Sequence, residues 1–183
     1  MLGVFLPGLP HFLNQQNEII TQGRIIDNSL WSYEEPTKKS KRVKNYWRDL
    51  VVPITGTTVS EDEAAYNRVW YEVEGAGYVY SGSVQPVRAI LNEPQHISLA
   101  GALGEVSVPF TDAFLEADAN SDLLYRLYYE SAHWVKASAI HADGTIWYAL
   151  LDDKTGNYYY APGKHIRLIP NMELAPLSPG ILN

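Results

Sequence analysis

From residue 23 onward, short runs rich in Val, Ile, Tyr and Trp alternate with clusters of Gly, Asn, Asp and Pro. This is the pattern of short antiparallel strands joined by tight turns. The clearest hairpin reads Trp70-Tyr71-Glu72-Val73, a turn over Glu74–Gly77, then Tyr78-Val79-Tyr80. Successive side chains of a strand point to opposite faces. Glu72 marks the wetter face, so Tyr71, Val73 and Val79 are expected in the core and Trp70, Tyr78 and Tyr80 on the outer face. The segment Ser121–Trp134 also places Leu124, Leu127 and Tyr128 at helical spacing. Its counterpart in the first half carries no such stripe, and both are assigned as strands.

The pattern is written twice. Shifted by 81 positions, Gly23 falls on Gly104, Tyr33 on Phe114, Trp47 on Tyr128 and Ile54 on Val135. The offset then becomes 77, placing Trp70-Tyr71 on Trp147-Tyr148. A longer turn at 152–157 is expected to restore it to 80, which sets Tyr78 and Tyr80 on Tyr158 and Tyr160. The second outer cluster is then Trp147, Tyr158 and Tyr160, with Tyr148 and Leu150 inward. A repeat of this length is one small domain rather than a solenoid unit.

The expected fold is therefore all-β: two small antiparallel barrels, residues 23–88 and 104–170, packed as a tandem. A unit of about 65 residues buries only about 60% of its unfolded surface, so shared burial is needed. The connector 89–103 is apolar at Ile90, Leu91, Ile97, Leu99 and Leu103, which predicts a packed segment rather than a free tether. Residues 1–22 begin with an apolar stretch interrupted by two prolines and lacking a basic region. It reads as an arm packing Val4, Phe5, Leu6 and Leu9 onto a barrel, or as the remnant of a segment behind an export signal. Residues 171–183 form a Pro-rich tail or linker.

Composition narrows the function. The 183 residues are 46% hydrophobic and 19% charged, with a net charge of -7. That charge argues against a general nucleic-acid binder. No cysteine is present, which removes disulfides, thiolate metal sites and cysteine nucleophiles. There is neither a G-x-S-x-G elbow nor a Gly-rich phosphate loop. The five histidines show no helical i,i+4 pairing, and Asp118–Asp122 opens like a calcium loop but places Leu123 where Gly is required. It is read as a polar turn, and no metal or cofactor is expected. Glu34-Glu35 and Asp152-Asp153 are solvated turn charges. The basic run Lys38, Lys39, Lys41, Arg42, Lys44 and Arg48 is read as a solvated face, with attraction to an anionic polymer or a partner domain as the functional alternative.

The stretch "LWSYEEPTKKSKRVKNYWRDLVVPITG" followed by "RVWYEVEGAGYVYSG" resembles the bacterial SH3-like (SH3b) domain. The tandem, ending in "IRLIPNMELAPLSP", is similar to the region preceding the catalytic domain of envelope L,D-transpeptidases. The resemblance implies an accessory, non-catalytic module of the bacterial cell envelope that contacts peptidoglycan peptides or glycans, with a catalytic domain or another protein as partner. The nucleophilic Cys of that family is missing, so its reaction does not carry over. No stable membrane span is expected. Trp70, Tyr78, Tyr80, Trp147, Tyr158 and Tyr160 are the candidate ligand-binding residues, because aromatic faces stack on sugars and extended peptides. Burial of the same aromatics between barrels would instead make the chain a structural spacer or lid.

Overall fold

The computed structural model describes residues 22–174. The apolar arm expected over 1–22, apart from Gln22, and tail residues 175–183 lie outside them.

The described chain is all-β, with two seven-stranded antiparallel sheets and only three short 3-10 turns. The first unit comprises β1 (Gln22–Ile25), β2 (Ser29–Tyr33), β3 (Arg42–Trp47), β4 (Val51–Val59), β5 (Val69–Val73), β6 (Gly77–Tyr80) and β7 (Val84–Pro86). The second comprises β8 (Ala102–Val106), β9 (Phe110–Phe114), β10 (Leu123–Tyr128), β11 (Ala132–Ile140), β12 (Ile146–Leu151), β13 (Tyr158–Pro162) and β14 (Ile166–Leu168). Both sheets have one strand order: β3-β2-β6-β5-β4-β1-β7 and β10-β9-β13-β12-β11-β8-β14. The segment with helical spacing is extended, since Leu127 alone of its apolar stripe enters the core.

The long fourth strand of each unit does two jobs. Its first half pairs with the first strand, and its second half pairs with the fifth. A bulge separates the halves, between Ile54 and Gly56 in β4 and between Val135 and Ala137 in β11. Bulges bend a strand and increase its twist, so each sheet curves around its own core. The first core gathers Ile25, Leu30, Tyr46, Ile54, Val73 and Val79; the second gathers Val106, Leu127, Val135, Tyr148, Leu150 and Ile166. The outer strands, β3 with β7 and β10 with β14, are not hydrogen-bonded to each other. The units are thus curved seven-stranded sheets, and neither closes into the small barrel expected.

The duplication extends to fine detail. Asp49 and Glu130, 81 positions apart, both have positive φ, 67° and 63°. Asp49 donates its N–H to the Ile25 carbonyl at 2.9 Å, and Glu130 donates to Val106 at 2.8 Å. The offsets of 81 and 77 hold through β5 and β12, but the last is 82, not 80. Tyr71 pairs with Val79, and Tyr148 with Ala161. The counterpart of Tyr78 is therefore Tyr160, and Pro162 stands where Tyr80 does. The run of three tyrosines at 158–160 masks the two-residue difference, and the faces are unchanged by it because strand faces repeat every two residues.

The connector is only partly packed. Ile97 enters the second core, whereas Ile90, Leu91 and Leu99 are exposed. Polar bonds hold it instead. Asn92 donates its N–H to the Lys164 carbonyl at 2.8 Å and its side-chain amide to Ser107 Oγ at 2.7 Å. The Gln95 N–H donates to Tyr148 Oη at 2.7 Å.

Among the described residues, the units meet at a charged seam. Arg24 donates to Gln85 Oε1 and, at 2.7 Å, to Asp49 Oδ1, and its guanidinium lies 4.2 Å from the centre of the Tyr128 ring. Asp49 Oδ2 accepts from Arg126 of the second unit at 2.9 Å. Arg126 also forks onto Asp112 and covers Phe110. One carboxylate thus bridges an arginine from each unit. Charge-assisted bonds and cation–π contacts of this kind are strongest when partly desolvated. The Arg24 and Asp49 side chains are only 7% and 12% exposed.

Candidate aromatic site

Alternation places Trp70 on the face opposite Tyr71, as expected, yet Trp70 is only 4% exposed. Its ring meets Tyr33 edge-on at 5.8 Å and Tyr80 at 5.7 Å. The outer face thus carries a small aromatic core of its own, and Trp70 is the covered floor of a cleft rather than its open wall. Tyr33 is the member that sequence reasoning missed. Its register opposite Tyr78 brings it there, a long-range pairing with no local signal. Tyr78 stands beside Tyr33 on the ladder, outside the cleft described next.

Tyr80 is half-buried and edges a cleft of about 200 Å³. The β2–β3 loop supplies Lys38 and Lys39; the β4–β5 loop supplies Asp62, Tyr66 and Asn67. Lys38 Nζ lies 4.9 Å from the Tyr80 ring centre. Within the basic run, Lys41 pairs with Glu34, Arg42 covers Trp31 and Lys44 covers Tyr46. The run is a cationic loop and edge strand, with Lys38 and Lys39 turned toward the cleft.

The second cluster does not assemble as expected. Trp147 is covered, meeting Phe114 at 5.9 Å and donating its indole N–H to Thr145 Oγ1 at 3.1 Å. Tyr160 pairs with Phe114. Tyr158 sits opposite Leu151, four residues from the Pro162 that faces Trp147, or about 13 Å along the strand. It is 47% exposed and takes no part in the cluster. Trp147 instead borders a 500 Å³ cleft walled by Leu91 and Pro94 of the connector and by Pro162 and Lys164.

A third opening, about 760 Å³, lies between edge strand β10 and β11. Here Tyr125 donates to Asp152 Oδ2 at 2.8 Å, and Tyr125 and Tyr159 stack edge to face at 5.0 Å. Tyr159 Oη is 3.0 Å from His133 Nδ1, and His133 Nε2 is 2.9 Å from Ser131 Oγ. Nothing local in the sequence signals this serine–histidine pair. Its proton order makes it structural: Ser131 donates to the Tyr128 carbonyl at 2.6 Å, so it accepts from His133, whose Nδ1 accepts from Tyr159. Burial lowers the His133 pKa, with Asp153 partly opposing, which keeps the ring neutral. Burial, reinforced by Asp152, pushes the Tyr159 hydroxyl up to about 12. A serine whose proton is committed to a carbonyl is not an activated nucleophile.

Asp118–Asp122 is a turn closed by the Asn120 N–H onto Asp118 Oδ1 at 2.9 Å. Among the described residues there is no cluster suited to a metal and no helix long and apolar enough to cross a membrane. No protein-family model matches the chain, and no curated protein matches it.

Proposed function

We propose that the chain is a non-catalytic binding and positioning module of the bacterial cell envelope, made of two SH3-like units, with peptidoglycan as ligand and a catalytic domain as partner. The observation that carries this reading is the first unit's cleft. Its aromatic edge is Tyr80, backed by the Tyr33–Trp70 stack, and its rim bears Lys38, Lys39 and Asp62. A preorganised ring beside charges of both signs suits a short peptide carrying both amino and carboxylate groups. The cell-wall identity of that peptide rests on the resemblance to SH3b domains. The second unit's counterpart offers Pro162 in place of Tyr80, so the first unit is the reader and the second its support.

Pelleting with purified peptidoglycan tests this. The wild-type chain is expected in the pellet. Tyr80→Ala should weaken pelleting about tenfold, since aromatic anchors commonly contribute 1–2 kcal/mol or more and each 1.4 kcal/mol is tenfold. Wild-type protein remaining in the supernatant would overturn the reading. The charged seam at Asp49 favours a second reading, in which the tandem is a rigid spacer or lid for a catalytic domain without a ligand of its own. That reading expects no pelleting, and altered substrate access when the seam is broken.

A further inference from the structure

The internal repeat shows which surface the first unit has left unused. In the observed seam the first unit presents Arg24 and Asp49, and the second receives them on the outer face of β9–β10, at Phe110, Asp112, Arg126 and Tyr128. The contact is head-to-tail, because two different faces meet. At the offset of 81, the receiving positions correspond in the first unit to Ser29, Trp31, Asn45 and Trp47. Their ladder is the same: Ser29 opposes Trp47 as Phe110 opposes Tyr128, and Trp31 opposes Asn45 as Asp112 opposes Arg126. This face is uncovered. Trp47 is 65% exposed and Trp31 37%, with Val43 and Leu50 exposed nearby. Two tryptophans on one solvent-facing surface are more apolar area than a lone surface residue accounts for.

The presenting face is likewise repeated. Glu105 and Glu130 of the second unit stand where Arg24 and Asp49 stand in the first, and Arg167 opposes Glu105 as Gln85 opposes Arg24. Arg167 bridges Glu105 and Glu173. Three carboxylates, Glu105, Glu130 and Glu173, against the one guanidinium of Arg167 leave this face net acidic, while Arg42 lies over the Trp31 ring and Arg48 directly follows Trp47. We infer that the β2–β3 face carrying Trp31 and Trp47 docks the Glu105–Glu130 face of a second copy of this chain, repeating between molecules the head-to-tail contact that joins the units within one. A contact between unlike faces does not close on itself as a twofold dimer, so it propagates into short linear assemblies or a ring. The internal seam operates at the millimolar effective concentration that a short tether supplies. Between chains the same kind of contact is expected to become populated at about 0.1–1 mM.

Sedimentation velocity on the full chain tests this. Wild type is expected to grow in mean mass with concentration, less so at high salt. Trp47→Glu blocks the receiving face, and Glu130→Lys blocks the presenting face. Both positions are exposed, and circular dichroism checks that each variant stays folded. Each variant alone should remain monomeric, and their mixture should form a capped one-to-one dimer, because each retains the face the other lacks. Wild type that stays monomeric up to about 1 mM, or folded variants that fail to pair on mixing, would overturn the inference. The peptidoglycan assay is independent, because Tyr80 lies outside both faces.

Discussion

At the scale of single residues, Trp70 and Tyr71 show that facing outward and being exposed are different properties. They point to opposite sides of β5, yet both are at least nine-tenths covered. Trp70→Ala and Tyr71→Ala are each expected to cost about 3–5 kcal/mol, through lost burial and the cavity left behind, read as equal shifts in urea midpoint. A Trp70→Ala cost below about 1 kcal/mol would show that the outer stack contributes little. The histidines give a pH signature. Burial lowers the pKa of both His133 and His165 below the usual 6.5. Protonation then favours the unfolded chain, so their stabilisation is complete above about pH 6.5 and is lost as pH falls through the folded values. Stability should decline on acidification before the carboxylates titrate, and His133→Gln should flatten that decline. A wild-type profile level from pH 7 to about 5 would refute the assignment.

At the scale of elements, the two hairpins diverge through one turn. In the first, Gly77 has φ of 73°, and a Cβ there would strike the Tyr33 carbonyl oxygen. Gly75, φ 64°, has open space around it. Gly75→Ala should therefore cost about 1–2 kcal/mol, the left-handed backbone penalty alone. Gly77→Ala should cost distinctly more, because β2 must also move away; thermal melts compare the two, and equal costs would show that β2 yields freely. In the second hairpin the longer turn leaves the counterpart of Gly77 free to be Tyr159. That one change lets a hydroxyl reach His133 at the wall of the third cleft.

At the scale of the whole molecule, Asp49 couples the units. Asn tolerates positive φ, so Asp49→Asn keeps the turn but removes the charge between Arg24 and Arg126. Breaking a largely buried pair by removing one partner typically costs about 3–5 kcal/mol. Wild type is expected to unfold in one calorimetric transition and Asp49→Asn in two, or in one that is markedly broader. Two well-separated transitions in the wild type would argue against the rigid tandem.

The sequence by itself determined the strands, their faces and the duplication. These depend on alternation and turn residues, which are local, and Tyr71, Val73, Val79, Tyr148 and Leu150 are buried as alternation required. It did not reveal the register of β13, because Tyr158, Tyr159 and Tyr160 are interchangeable by composition, and the length of a turn does not reveal where pairing resumes. Nor did it reveal that Trp70 and Trp147 are covered, since the rings that cover them, Tyr33 and Phe114, arrive from strands more than thirty residues away. The seam at Asp49 and the histidine relay likewise join residues distant in sequence. Local pattern sets which way a side chain points, but only the tertiary structure decides what it meets.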